Sequence, residues 1–403
     1  MDKEVKYELP KDWKWIKLGE VGKIETGTTP DKSNIEYYGN EIPFYKPTDL
    51  KQGINTIYAS DNLSKKGFEK TRKLPKDSIL VTCIGATIGK TGLIKKEGAS
   101  NQQINSIIPD NQHNPKFIFY QIISQNFQNQ IKLNASSTTL PILNKSKFAQ
   151  LNFITTRLTL QQLVVSNIEE LFSELDKGTE NLRIAQQQLK TYRQAVLKYA
   201  FEGKLTNENL KDGKMPKGWK NVKLDTVGKL FCGQSSKVSE VNCFGEGTLY
   251  VTGPEQWNGK HINEKKWTIN PKRIVPDGTI FITVKGAGIG KMFPGISCAI
   301  GRDVYAYLPS NILNFKFTFY ALKHSIDLVI AKAQGDIPGL AKHHILEHEI
   351  GICSIAEQNK IVQIIESRLS VADKMEESIN QSLQQAEALR QSILKKAFEG
   401  RLI

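Results

Sequence analysis

A chain of 403 residues, 39% hydrophobic and 24% charged, exceeds one ordinary domain and has a globular rather than a disordered composition. Its five cysteines, odd in number and without a C-x-x-C pair, exclude a disulfide scaffold or zinc knuckle and predict reduced, mostly buried thiols. The net charge of +14 leaves a nucleic acid, an acidic partner or plain solubility open, so its distribution decides more than its size.

The stretch MDKEVKYELPKDW lacks the apolar core of a signal peptide. No run approaches the ~20 apolar residues that cross a bilayer, so the expectation is a cytoplasmic protein with no membrane partner. The Gly/Thr/Asn/Asp/Pro-rich ETGTTPDKSNIEYYGNEIP predicts a long surface loop. DSILVTCIG is β-rich and bounded by breakers, so it predicts a strand. GATIGKT (Gly85–Thr91) has three residues between its glycines where a phosphate-binding loop needs four, and predicts a tight strand–turn–strand instead. NPKFIFYQIISQNFQNQI has helical spacing.

After Thr159 the pattern changes. Val164, Ile168, Leu171, Leu175, Leu182, Ala185, Leu189, Tyr192, Val196 and Tyr199 follow alternating steps of four and three, with one step of seven across Gly178, a heptad seam. AFEG closes it, with Gly203 placed as a left-handed stop.

The second half repeats this order. PKGWKNVKLDTVGKL matches PKDWKWIKLGEVGKI at an offset of 206, KGAGIGK matches IGATIGK at 201, NFKFTFYAL matches NPKFIFYQI at 200, and AFEGRL matches AFEGKL at 197. GTIFITVKG predicts the second strand and NFKFTFYALKHSIDLVIAKA the second helix. The second seam runs through Ile361, Ile365, Leu369, Ala372, Met375, Ile379, Leu383, Ala386, Leu389 and Ile393. Ser354-x-x-Glu357 is a capping-box pattern at its start, and Gly400 is its stop. The fold class expected is α+β: two globular tandem repeats, residues 1–155 and 206–353, each followed by a long helix, 156–205 and 354–403. A narrow apolar stripe needs a partner. The pseudo-two-fold repeat predicts that the two helices pair antiparallel as a rod of about 60 Å, with Phe201 and Phe398 packing on the opposite half. A coiled coil between chains, or helices that bind other proteins, are the alternatives.

Charge follows the same division. The globular segments carry +7 and +6, the helical ones +1 and 0. Two basic modules suit a bipartite duplex, with phosphates supplying attraction and base edges discrimination. Lys90 and Lys291 are candidates for phosphate contact, and Gln102, Gln103 and Arg302 for base contact. FYKPTDL and LYVTGPE, roughly aligned, add Lys46, Thr48 and Thr252, and the loops add Thr28 and Lys285. No nucleophile–base pair or carboxylate cluster recurs in both halves. PDGTIFITVKG lacks the acid a PD…(D/E)xK nuclease needs at Thr283, and the chain has no Pro-Pro for a methyltransferase motif. His344 and His348 lack the HExxH order and a counterpart in the first half, and read as surface histidines.

LGEVGKIETGTTP, IPFYKPTDL, DSILVTCIGATIGK, EQNKIV opening a helix and AFEGRL closing it together resemble the specificity subunit of a type I restriction–modification system. LTLQQLVV stands where the first copy would have the Glu-Gln opening. The resemblance implies two target recognition domains, each reading half of a split DNA site, and two conserved helices that set the gap. It implies no catalysis and no cofactor in this chain. S-adenosylmethionine, ATP and Mg²⁺ would be used by partners: two methyltransferase subunits and motor–nuclease restriction subunits. The other readings are a specificity subunit of a related non-type I system, a methyltransferase or nuclease in its own right, or an adaptor for acidic proteins.

Overall fold

The computed structural model describes residues 8–136, 140–207, 209–211, 213–331 and 339–402. It forms two compact units. One contains the chain up to Arg183 together with the segment from Asn380, and the other runs from Ile184 to Ile379.

In the first unit, four antiparallel strands lie in the order Gly22–Thr26, Ile104–Pro109, Ile79–Thr82, Thr91–Leu93. Ile79–Thr82 is buried on both faces, as its unbroken apolar run requires. A smaller sheet places Tyr38–Tyr45 between Asp61–Leu63 and Ala99–Ser100, pairing in parallel with the latter. The predicted surface loop therefore contains a turn of 3-10 helix, Ile35–Tyr37, and the start of this strand. The Tyr38 hydroxyl donates to the Pro30 carbonyl at 2.9 Å and folds the loop back on itself. The predicted helix after Asn114 is broken at Ser124 into Pro115–Ile123 and Gln125–Asn134. Ser124 is extended (ψ 145°), its hydroxyl bonds the Gln121 carbonyl, and it caps the next helix.

The second unit repeats the four-stranded sheet as Gly228–Cys232, Val304–Pro309, Ile280–Thr283 and Met292–Pro294. Its smaller sheet again contains a parallel pair, Thr248–Val251 with Cys298–Ile300. Here the helix Phe315–Ala331 is unbroken, with His324 where the first repeat has Ser124. In both GATIGKT-like hairpins the first and last glycines take positive φ: Gly85 at 101°, Gly89 at 87°, Gly286 at 75° and Gly290 at 78°. That is the tight turn expected of the sequence.

Two 44-residue helices, Leu158–Phe201 and Ile355–Phe398, each contribute to both units. Within the first unit the start of one meets the end of the other, so they run antiparallel: Val164, Ile168 and Phe172 share a core with Ile393, Leu394 and Phe398. The second unit has the same arrangement, Val196, Leu197 and Ala200 against Ile361, Val362 and Ile365.

The seam differs from the heptad reading near the modules. Phe172 is buried instead of Leu171, and Ala200 instead of Tyr199. Met375 and Leu389 are exposed by about half, and Arg193 and Arg390 take the inward positions expected of Tyr192 and Leu389. Asp176 faces Arg390, and Asp373 faces Arg193 at 2.7 Å. The helix ends also face a globular module, and that second neighbour rotates the buried stripe off the strict heptad. Gly178 has open space around it, so no backbone demand explains it.

Candidate nucleic-acid interface

Each module is fastened to its long helices by the same contacts. Gln161 is fully buried. It accepts from the Asn114 amide at 2.8 Å and donates to the carbonyls of Thr156 (2.7 Å) and Gln112 (3.1 Å). Gln358 does the same with Asn314 at 2.8 Å, Cys353 at 2.9 Å and Ile312 at 3.0 Å. Lys116 pairs with Glu169 at 2.7 Å, and Lys316 with Glu366 at 2.7 Å. Phe398 meets Phe117 edge-on at 5.2 Å, and Phe201 meets Phe317 at 5.2 Å, so each AFEG phrase docks on the module of the other repeat. Gly203 and Gly400 take φ of 75° and 69°. A Cβ there would lie 2.2 Å from Pro216 and 2.4 Å from Pro10. Ser354 caps the second helix, accepting from the Glu357 amide at 3.3 Å, and the Glu357 carboxylate accepts from Trp219 at 3.1 Å. The two glutamines were not legible as anchors. Their one signal is the shared Gln in LTLQQLVV and EQNKIV.

Most of the candidate recognition residues, Lys285 and Lys291 excepted, lie near the ends of the parallel strand pair. In the first module the Thr28 amide donates to Ser100 at 2.9 Å, Thr29 bonds Gln102, and the Asn101 amide donates to Tyr45 at 3.2 Å. The Asn101 side chain donates to Gln103 at 2.9 Å. Lys46 follows Tyr45 and is held by Asp61. Lys90 reaches the Thr48 carbonyl at 3.5 Å. Burial pushes the Tyr45 phenol up to about 12, so this strand end rests on a neutral, structural hydroxyl. Sequence reading missed a cationic group beside it. Lys23, Arg72 and Lys145 surround Glu25 at 2.7, 3.7 and 3.8 Å, and their hydrogen bonding and charge lower its pKa. Arg72 also donates to the Thr26 carbonyl, which ties it to the Thr28 loop.

In the second module the Gln234 amide donates to Ile300 at 3.0 Å and the Gly301 amide to Val251 at 2.8 Å, matching Thr28–Ser100 and Asn101–Tyr45. These bonds pair Gln102 with Arg302 and Lys46 with Thr252, one residue away from the register in which FYKPTDL faces LYVTGPE. Thr252 bonds Lys266 at 2.9 Å and Gln256 at 3.1 Å. Arg302 is largely exposed, 3.8 Å from Asp303. Lys285 and Lys291 flank the turn Gly286–Gly290 and are exposed, away from Thr252 along the chain.

The histidines differ from expectation. His348 is buried, with Nε2 2.7 Å from Ser325 Oγ, and it lies beyond the helix Lys342–Leu346 that carries the half-buried His344. Cys83, Cys298 and Cys353 are buried thiols, whereas Cys243 is exposed. Among the described residues no group of three or more His, Cys, Asp or Glu could hold a metal ion, and no helix is long and apolar enough to cross a membrane.

The duplicated architecture coincides with a known domain. The profile of the type I restriction modification DNA specificity domain matches residues 10–186 and again 216–385. The chain belongs to this family. The HindI specificity subunit of Haemophilus influenzae is 33% identical over 182 residues, 44% of this chain and 39% of that protein. The MjaIX subunit of Methanocaldococcus jannaschii is 27% identical over 58% of this chain and 56% of its own length. This chain thus spans about half or less of those two relatives. The EcoDI specificity subunit of Escherichia coli is 22% identical over 98% of this chain and 90% of that one. A chain from a solved structure of the type I R-M system shares the fold, with TM-score 0.81 at 19% identity over 98% of this chain and 100% of that one. The HsdS subunit from Thermoanaerobacter tengcongensis superposes with TM-score 0.60 at 19% identity, over 99% of both chains.

Proposed function

We propose that this chain is the non-catalytic DNA-reading subunit of a type I restriction–modification complex. Each module binds one half of a bipartite duplex site. The long helices hold the gap between halves and receive two methyltransferase subunits, with motor–nuclease subunits joining them. Those partners, not this chain, use S-adenosylmethionine, ATP and Mg²⁺. Residues 1–155 and 206–353 are the reading segments, and 156–205 and 354–403 the spacer.

One observation carries this reading. The contacts that fasten module to helix are the same in both repeats, while the matched strand-end residues differ, Gln102 against Arg302 and Lys46 against Thr252. Two copies of one scaffold with different tips suit two different half-sites. Gln suits adenine and Arg suits guanine in the major groove. Thr28, Gln103, Thr48, Lys90, Lys285 and Lys291 supply nearby polar or phosphate contacts.

Selection of bound duplexes from a randomised library tests this. The selected sites should contain two short specified blocks around an unspecified gap. Arg302→Ala should relax one position of one block by about 1–3 kcal/mol and leave the other block unchanged. Deleting one heptad from each long helix should change the gap alone. Changed blocks with an unchanged gap would sink the spacer assignment.

A further inference from the structure

Glu25 of the first module is ringed by Lys23, Arg72 and Lys145, and the duplication carries all three cations into the second module without the acid. Lys229 stands where Lys23 does, because Gly228 pairs with Pro309 as Gly22 pairs with Pro109. By the same register Phe231 occupies the place of Glu25. Arg273 stands where Arg72 does: two residues on, Val275 pairs with Cys298 as Leu74 bridges Gly98. Lys342 stands where Lys145 does: two residues before it, the Leu340 amide donates to Val284 at 2.9 Å, as the Leu143 amide donates to Cys83 at 2.8 Å. The helix Lys342–Leu346 packs on the strand Gly228–Cys232, as Lys145–Ala149 packs on Gly22–Thr26.

The exchange of Glu25 for Phe231 changes what these cations can do. In the first module they converge on a carboxylate that the fold supplies. In the second, Lys229 lies over the Phe231 ring, 5.0 Å from its centre. A ring face attracts a cation but offers no hydrogen-bond acceptor. Among the described residues none of Lys229, Arg273 and Lys342 pairs with a carboxylate. Arg273 is half-buried, and its Nε is shut off from water with no hydrogen-bond partner. A guanidinium partly withdrawn from water without an anion costs stability, and an anion bound from outside offsets that cost. The place of the trio identifies the anion. The Arg273 carbonyl accepts from the Ile300 amide at 3.0 Å, and the Ile300 carbonyl accepts from the Gln234 amide at 3.0 Å. Arg273 thus borders the strand end from which Arg302 follows. A duplex whose base edges reach that strand end brings its backbone alongside. Phosphate oxygens accept from a guanidinium and from ammonium groups and neutralise them, whereas a base edge offsets no charge.

We propose that Lys229, Arg273 and Lys342 hold one backbone phosphate of the duplex at the edge of the second module, in the place that Glu25 fills in the first. The two modules then grip DNA unequally: the second draws on a phosphate where the first has already satisfied its cations. This deepens the DNA-reading assignment, on which it rests, by naming an anchor that reads no base.

The test measures the affinity of the full chain for its selected bipartite duplex by fluorescence anisotropy over a range of potassium chloride concentrations. Arg273→Gln should weaken binding about tenfold at low salt and lower the slope of log affinity against log salt by about 1, the change for one lost phosphate contact. Both specified blocks should stay the same. Glu25→Gln frees the first trio and should do the reverse, steepening the slope by about 1. A residue that only supports the fold produces no such gain. Because the Arg273 charge has no partner in the free chain, Arg273→Gln should move the thermal midpoint by less than about 2 °C. An unchanged slope in either variant overturns the proposal. So does an altered base preference at one position in Arg273→Gln, which makes that arginine a base reader. Displacement of the duplex by millimolar inorganic phosphate at constant ionic strength means a free-anion site and also overturns it. If library selection returns no bipartite site, the DNA-reading assignment falls, and the slope change on a random duplex still decides for or against the phosphate anchor.

Discussion

The joints between module and helix and the strand ends of the modules tell opposite stories within one molecule. At the joints, Gln161 and Gln358, Phe398 and Phe201, and Gly400 and Gly203 make matching contacts in the two units. At the strand ends the backbone bonds are kept, while the side chains they present differ. Backbone geometry and joints are what a duplicated scaffold must preserve for either copy to fold. The exposed strand ends are free of that demand, so their side chains can differ between the copies.

The equivalence of the joints can be broken by force. Phe398 is 4% exposed and Phe201 is half-buried, so equal geometry does not mean equal energy. Phe398→Ala should cost about 3–4 kcal/mol and Phe201→Ala about 2 kcal/mol, measured by urea unfolding. Equal losses would mean that the exposed edge of Phe201 contributes nothing to the difference. Next in size, Gln161→Leu and Gln358→Leu each leave a buried amide and two carbonyls without their partner. Each should cost about 2 kcal/mol, and the two values should agree within about 0.5 kcal/mol. A discrepancy of more than about 1 kcal/mol would show that Glu357, bonded to Trp219 in the second unit, shares the load there. Smallest is a gain. A Cβ added at Gly178 would meet no atom within 4 Å, its φ is not special, and Met375 occupies its counterpart. Gly178→Ala should stabilise the helix by about 1 kcal/mol, seen as a higher midpoint in the same unfolding experiment. No gain would point to a use for flexibility that the second repeat lacks.

The parts that were legible rest on local rules. Glycine punctuation marks both hairpins and both helix stops, because only glycine takes positive φ without cost. Unbroken apolar runs mark the central strands because those strands are covered on both faces. The rest depended on neighbours distant in sequence. Phe172 replaces Leu171, and Arg390 replaces Leu389, because the helix ends meet a module as well as a helix. The Tyr38–Tyr45 strand hid in a polar loop because its partners, Asp61–Leu63 and Ala99–Ser100, are short and remote. Among the candidate residues, Lys46 and Thr48 could be placed on one loop, but the parallel pairing of Phe44 and Tyr45 with Ala99 and Ser100, which sets the strand end from which Lys46 and Gln102 both follow, could not be read from the sequence.

Taken alone, the amino-acid order determined the duplication, the kinds of element and their stops, since repeat offsets, periodicity and glycine are properties of neighbouring residues. The tertiary structure decided which face of each long helix is buried, which glutamines bolt the modules on, and which polar side chains share a strand end. These are long-range choices: they minimise unpaired buried groups over the whole fold, and no local window contains the partners that settle them.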